Sequence, residues 1–186
     1  MLRAFAELRA EIRGDTLRGH AAVFGSLARL PQHYEAMAPG AFTRALDGDT
    51  SDPRALINHN PSLLLGRRSA GTLRVGVDSQ GLEFEVDLGN QSYARDLRES
   101  VERGDLRDMS FGFMPGEDEY SRAKDGRQIR THTSVAQLLD VSPVTYPAYQ
   151  GTDLQLRSLD SYTFETPASP IRLIRARARL ALEGTN

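Results

Sequence analysis

The chain has 186 residues, 39% of them apolar, and its 23 basic and 25 acidic side chains leave a formal net charge of −2. This length fits one domain or a domain with an extension, and it can bury a sizeable core without disulfides. Cysteine is absent, which excludes a cysteine nucleophile, thiolate zinc sites and iron–sulfur clusters, and the near-neutral charge argues against a whole-surface grip on nucleic acid.

The first 46 residues are predicted to hold short elements separated by loops. Residues 1–16 are too charged for a signal peptide and suit a short strand or a frayed arm. Residues 17–25 favour a strand, whereas 26–39 contain two prolines and are predicted as a loop. Residues 41–46 suit one or two helical turns. No apolar run in the chain approaches the ~20 residues of a membrane span.

The next segments favour strands. Turn residues fill 47–53, and residues 54–59 return to strand character before Asn60-Pro61, a turn signal. Apolar and polar residues then alternate with period two in 72–77 and in 82–88. This alternation predicts a β-hairpin that is closed by the Asp78–Gly81 loop.

A helix is predicted over residues 92–103, because Tyr93, Leu97 and Val101 recur every four residues. Ser92 suits its N-cap and Gly104 its C-terminal stop.

The remaining part of the predicted domain is strand-rich. Residues 106–114 favour a strand with the large side chains on one face and Ser110 and Gly112 on the other. The polar residues 116–127 suggest a mobile loop, and 128–133 a short strand. Residues 135–147 form an apolar strand that Pro143 is expected to bend or end.

The C-terminal residues change in composition. Residues 153–170 resemble a linker, and 171–186 a basic amphipathic helix that either packs on the domain or acts as a docking arm. The predicted organisation is therefore a catalytic or binding domain over 1–152, a linker and a tail. The fold class is α+β.

Three residues suit a hydrolytic site, although each also has an ordinary structural interpretation. His59 lies beside a turn, where an imidazole can move protons at neutral pH. Ser110 would need a base within hydrogen-bond reach to act as a nucleophile. Asp140 lies in an apolar strand, where an ionised group needs a partner such as a histidine ring. The four histidines show no spacing typical of a metal site, so no metal or cofactor is expected.

Several segments in the same order resemble the tailed-phage prohead proteases, the capsid maturation proteases, which are related in fold to the herpesvirus assemblins. The resemblance covers most of residues 17–152. It is carried by GHAAVFG (19–25), MAPGAF (37–42), ALINHNPSLLLGR (55–67), GTLRV (71–75), GLEFEVDL (81–88), RGDLRDMSFGF (103–113) and LLDVSPVTYPAYQGT (138–152).

This resemblance implies a small, mostly antiparallel, closed or nearly closed β-barrel with surrounding helices, followed by a C-terminal extension. It implies a serine endopeptidase with Ser110 as nucleophile, His59 as general base and Asp140 as third residue. Glutamate is expected at the third position, so the shorter aspartate is a departure that requires His59 to lie closer. His132 is a rival for this role, because the assemblins use a second histidine there.

The resemblance also implies the substrates and the location. The substrates would be a scaffold protein or the scaffolding segment of the major capsid protein, and self-cleavage is implied as well. The protease would act in the host cytoplasm inside the assembling prohead, neither secreted nor bound to membrane or to specific nucleic acid, and a homo-oligomer is left open. The alternatives are an inactive barrel that serves as an assembly protein and, from the C-terminal arginines alone, a packaging factor.

Overall fold

The computed structural model describes residues 10–48 and 50–147. Within these ranges the fold is mostly β, with twelve strands and two helices. The predicted linker (153–170) and basic tail (171–186) lie outside the described residues. No helix in the described ranges is long and apolar enough to cross a membrane.

The strands are β1 (Ala10–Arg13), β2 (Thr16–Val23), β3 (Ala28–Arg29), β4 (His33–Met37), β5 (Arg54–Ile57), β6 (Asn60–Arg67), β7 (Leu73–Val77), β8 (Gly81–Asp87), β9 (Asp108–Pro115), β10 (Asp118–Arg122), β11 (Gln128–His132) and β12 (Val135–Val144). The helices are α1 (Thr43–Leu46) and α2 (Ser92–Glu102).

The strands form three four-stranded sheets. Their orders are β1-β2-β8-β7, β10-β11-β4-β3 and β6-β5-β12-β9. In the described residues, β4–β11 and β5–β12 are parallel and the other strand pairs are antiparallel, as expected for a mostly antiparallel fold. Each sheet has two edge strands, so the described residues do not form one closed hydrogen-bonded barrel.

One apolar core joins the first and third sheets. Strand β2 contacts β9, and β6 contacts β8. Phe42, which precedes α1, is fully buried and meets Phe111 of β9 edge-on, with 5.5 Å between ring centroids. Burial of each such large side chain stabilises the fold by about 1.5–3 kcal/mol. The core therefore anchors β9 and β12, the strands that carry two of the predicted site residues.

The predicted hairpin and the long helix are confirmed. Strands β7 and β8 pair antiparallel, with Val77 opposite Leu82, so Gly81 starts β8 instead of closing the loop. In α2 the predicted face is buried at Leu97 and Val101. The N-cap is Gln91, not Ser92, and no side chain caps this end.

Two predicted loops instead contain strands. Residues 26–39 include β3 and β4, and residues 116–127 include β10. Strand β4 pairs in parallel with β11, and β10 pairs antiparallel with β11. The loop prediction was wrong because these short polar segments obtain their order from pairing partners and ion pairs, which local composition does not reveal.

Candidate active site

His59 lies in the turn between β5 and β6. Asn58 and His59 both have positive φ, 51° and 55°, as in the two-residue turns that favour β-hairpins. The predicted strand 54–59 therefore ends at Ile57, and the predicted turn at Asn60-Pro61 is the start of β6. Pro61 is tolerated there because β6 is an edge strand and the register gives Pro61 no partner on β5.

Asn58 ties this turn to the end of β12. Its backbone N–H donates to the Pro143 carbonyl at 3.0 Å, and its Oδ1 accepts from the Thr145 N–H at 2.9 Å. Strand β12 continues through Pro143 to Val144, so Pro143 does not itself end the strand, which was one of the two expected effects. The proline keeps its carbonyl as an acceptor, and Asn58 uses that carbonyl to hold the turn in place.

His59 and Asp140 are in direct contact. The His59 Nδ1 lies 2.6 Å from Asp140 Oδ1, and the two side chains are 21% and 13% exposed. An ionised carboxylate can only accept hydrogen bonds, so a neutral ring that donates to it carries its proton on Nδ1 and its lone pair on Nε2. Aspartate is shorter than the glutamate expected at this position, and its carboxylate nevertheless contacts the His59 ring directly.

Ser110 lies in the same sheet as Asp140. It is 2% exposed on β9 and stands directly opposite Ser142 of β12, and Asp140 stands opposite Gly112. Directly opposed residues of antiparallel strands project from the same face, as do residues two apart on one strand. The polar side chains of Ser110, Asp140 and Ser142 therefore lie, together with Gly112, on a single face of the β9–β12 pair.

Gly112 is the residue that makes room for the carboxylate. A Cβ atom built at this position would lie only 2.3 Å from Asp140 Oδ2. The sequence pattern placed Ser110 and Gly112 on the strand face opposite the large side chains. On this face the Asp140 carboxylate fills the space over Gly112, and Ser110 is buried.

His132 belongs to another cluster. Its ring is 2% exposed, and its Nδ1 lies 2.6 Å from Asp118 Oδ1 and its Nε2 3.8 Å from Glu35 Oε1. Burial alone would raise the pKa of Asp118, but hydrogen bonds from Arg130 and His132 hold it below its ordinary value. His59 thus has a carboxylate partner in Asp140, and the rival histidine has its own carboxylate partners in the second sheet.

Sequence reasoning missed Ser142. This side chain is fully buried, and its hydroxyl donates to Asp140 Oδ1 at 2.6 Å. The available signal was its spacing, since Ser142 follows Asp140 by two residues in a strand and must share its face. No group of three or more His, Asp or Glu side chains within residues 10–48 and 50–147 is arranged to hold a metal ion.

Comparison with known proteins identifies the family. The sequence profile of the caudovirus prohead serine proteases matches residues 5–165. The chain is also 26% identical over 164 residues to the prohead protease of Enterobacteria phage HK97, a match that covers 84% of this chain and 68% of that protein. No solved structure matches the chain. Because the profile covers most of the chain, the protein belongs to the caudovirus prohead serine protease family.

Proposed function

We propose that Ser110, His59 and Asp140 are the catalytic triad of a capsid maturation endopeptidase. The observation that carries this proposal is the 2.6 Å contact between His59 Nδ1 and Asp140 Oδ1. It leaves Nε2 as the basic atom of the ring. Ser110 supports the assignment because it shares one face of the β9–β12 pair with Asp140.

The proposed mechanism assigns one step to each group. The Ser110 Oγ attacks the scissile carbonyl as His59 Nε2 takes its proton, and His59 then returns this proton to the leaving amine. Water, deprotonated by the same ring, hydrolyses the acyl-enzyme and releases Ser110. Asp140 keeps the Nδ1–H tautomer in place and stabilises the imidazolium that forms in both halves of the reaction.

A fluorophosphonate probe tests the nucleophile without knowledge of the natural substrate. We expect covalent labelling of Ser110, located by mass spectrometry, with release of fluoride. Ser110→Ala should abolish labelling, whereas Ser121→Ala, which removes an exposed serine of β10, should not. Equal labelling of Ser110→Ala would refute the assignment. A wild-type protein that resists the probe would favour the inactive assembly protein.

We further propose that the substrate is a scaffold protein or the scaffolding segment of the major capsid protein, together with this chain itself. The support is the family and the relative named a prohead protease. Co-expression with the capsid and scaffold proteins of the same phage should yield defined fragments that Ser110→Ala does not produce. Intact capsid and scaffold proteins in that experiment would contradict the proposed substrate.

The site of action that we propose is the interior of the assembling prohead, with residues 171–186 as a docking arm. This tail carries four arginines and one glutamate in the run 171–183. Enclosure in a shell raises the effective concentration, so weak docking suffices. A chain ending near Gly151 should fold and react with the probe but fail to enter proheads. Loss of probe reactivity would instead place the tail in the catalytic domain.

We also propose that the three sheets correspond to an assemblin-like barrel that is open between its sheets. The contacts of β2 with β9 and of β6 with β8 support this, since they close a core that no single sheet surrounds. An experimental structure superposed on an assemblin provides the test. A different strand order around the core would contradict the proposal.

A further inference from the structure

We propose that Ser142 is a positioning residue that holds the Asp140 carboxylate in the orientation that His59 needs. The inference rests on the proposed triad and adds a fourth member to it. The Ser142 hydroxyl donates to Asp140 Oδ1 at 2.6 Å, and the same oxygen lies 2.6 Å from His59 Nδ1. Ser142 itself is fully buried.

The carboxylate is confined on three sides. A carboxylate group rotates readily about its bond to Cβ, because terminal sp³–sp² torsions have broad minima. Here Ser142 and His59 both hold Oδ1, and Oδ2 lies against Gly112, where a Cβ atom would be 2.3 Å away. Among the residues that the structure describes, removal of the hydroxyl would leave His59 as the side-chain hydrogen-bond partner of the carboxylate.

The backbone that carries Ser142 is well placed for this role. Strand β12 has β5 on one side and β9 on the other, so it is a central strand of its sheet. Ser142 and Asp140 stand opposite Ser110 and Gly112. The distance between the hydroxyl donor and the carboxylate is therefore set by one strand and not by a loop.

A purely structural interpretation of Ser142 must also be considered. A buried hydroxyl needs a hydrogen-bond partner, and Asp140 could merely supply one. The two roles differ in their electrostatic effect. A hydroxyl that donates to the carboxylate takes up part of its negative charge and competes with His59 for it. Loss of the hydroxyl should then leave more negative charge on a less well oriented carboxylate, and this charge favours the protonated form of His59.

The test compares two buried serines: Ser142, which lies in β12, and Ser51, which contacts β12. Ser51 is 3% exposed, and its hydroxyl accepts from the Leu138 N–H of β12 at 3.0 Å, away from the carboxylate. We would measure the rate of fluorophosphonate labelling against pH for Ser142→Ala, Ser51→Ala and the wild type. Labelling at Ser110 reports the activated nucleophile without a natural substrate.

For Ser142→Ala we expect the plateau labelling rate to fall by about tenfold, a loss typical of a hydrogen bond to a charged group. We also expect the acid limb of its pH profile to move to higher pH, because a protonated His59 cannot act as a base. Ser51→Ala should keep the wild-type rate and profile even if its melting temperature falls. A structural role of Ser142 would lower stability without moving the profile.

Two further variants keep the test decisive. Ser142→Thr retains the hydroxyl and should restore the wild-type pH profile, and Ser142→Cys, with a weak donor, should fall between serine and alanine. This inference is overturned, with the triad intact, if a folded Ser142→Ala variant keeps the wild-type rate and pH profile. If the alanine variant does not fold, the same result for a folded Ser142→Cys variant overturns it. Undiminished labelling of Ser110→Ala would instead overturn the triad, and the inference with it.

Discussion

The polar side chains of Ser110, Asp140 and Ser142 share their face of the β9–β12 pair with a glycine, Gly112. Gly112 has no Cβ, and the Asp140 carboxylate occupies the space where one would stand. A glycine in a strand interior is normally unfavourable, because it packs nothing and loses much entropy. Its presence in β9 is explained here by the close approach of a charged group.

Gly112→Ala should therefore impair the site more than the fold. The added methyl group must displace the carboxylate from His59, so we expect labelling of Ser110 to fall at least tenfold. Overpacking of this kind costs about 1–3 kcal/mol of unfolding free energy. Gly76→Ala is the matched control, because its new methyl group meets only the end of the exposed Glu83 side chain. Equal rates for the two variants would contradict the explanation.

The proposed triad predicts non-additive kinetics. Ser110→Ala and His59→Ala should each remove nearly all peptide cleavage, and the double variant should be little worse than either single variant, because the residues act as a unit. Asp140→Asn should also be severe, since an amide can stabilise the wrong tautomer of His59. Circular dichroism would verify that each variant is folded. Losses in kcat that add would indicate separate roles.

At the scale of elements, the turn between β5 and β6 decides where His59 lies. Its two residues have positive φ, a conformation that costs most residues roughly 1 kcal/mol or more, whereas Asn and Gly adopt it readily. Asn58 adds the bond from Thr145. The turn therefore depends on Asn58 in two ways: asparagine tolerates the positive φ, and its side chain bonds to the end of β12.

Two substitutions of Asn58 separate these contributions. Asn58→Gly keeps the turn conformation and loses only the two side-chain hydrogen bonds with Thr145, so we expect modest losses of stability and of labelling rate. Asn58→Ala loses the hydrogen bonds and also the ready access to positive φ. It should be about 1 kcal/mol less stable than the glycine variant, with a lower labelling rate. Urea unfolding and the fluorophosphonate assay measure these effects. An alanine variant as stable as the glycine variant would argue against strain at this position.

At the scale of the whole molecule, a charged cluster joins β4, β10 and β11. It comprises His33, Glu35, Asp118, Arg130 and His132. Burial alone would raise the pKa of Glu35, but the imidazoles of His132 and His33 outweigh it and hold this pKa below 4.5. A carboxyl group with a lowered pKa stabilises the fold above its unfolded pKa and loses this contribution as the pH falls through the folded value.

Glu35→Gln should therefore flatten the acid limb of the stability curve. We expect the free energy of unfolding of the wild type to fall more steeply than that of the variant as the pH drops below about 4.5, the ordinary value for glutamate. Denaturant unfolding at a series of pH values measures this difference. Glu119→Gln, which changes an exposed carboxyl of β10, is the control. Parallel curves for Glu35→Gln and the wild type would contradict the prediction.

Features that depend on neighbours along the chain could be predicted from the amino-acid sequence. The β7–β8 hairpin and α2 follow from apolar periods of two and nearly four. Motif order led to the family, which the profile match confirms. The same motifs singled out His59, Ser110 and Asp140. A histidine, a serine and a carboxylate are the residue types that a serine protease needs as base, nucleophile and third residue.

The contact between Asp140 and His59 and the position of Ser110 opposite Ser142 depend on the tertiary structure. The contact of Asp140 with His59 requires a turn with positive φ at Asn58, and the place of Ser142 opposite Ser110 requires one register of β9 against β12. A shift of one residue would turn every side chain to the other face, and pairing between distant segments, not local composition, selects the register. Strands β4 and β10 were not predicted for the same reason: both pair with β11, a partner that the fold supplies and that local composition does not reveal.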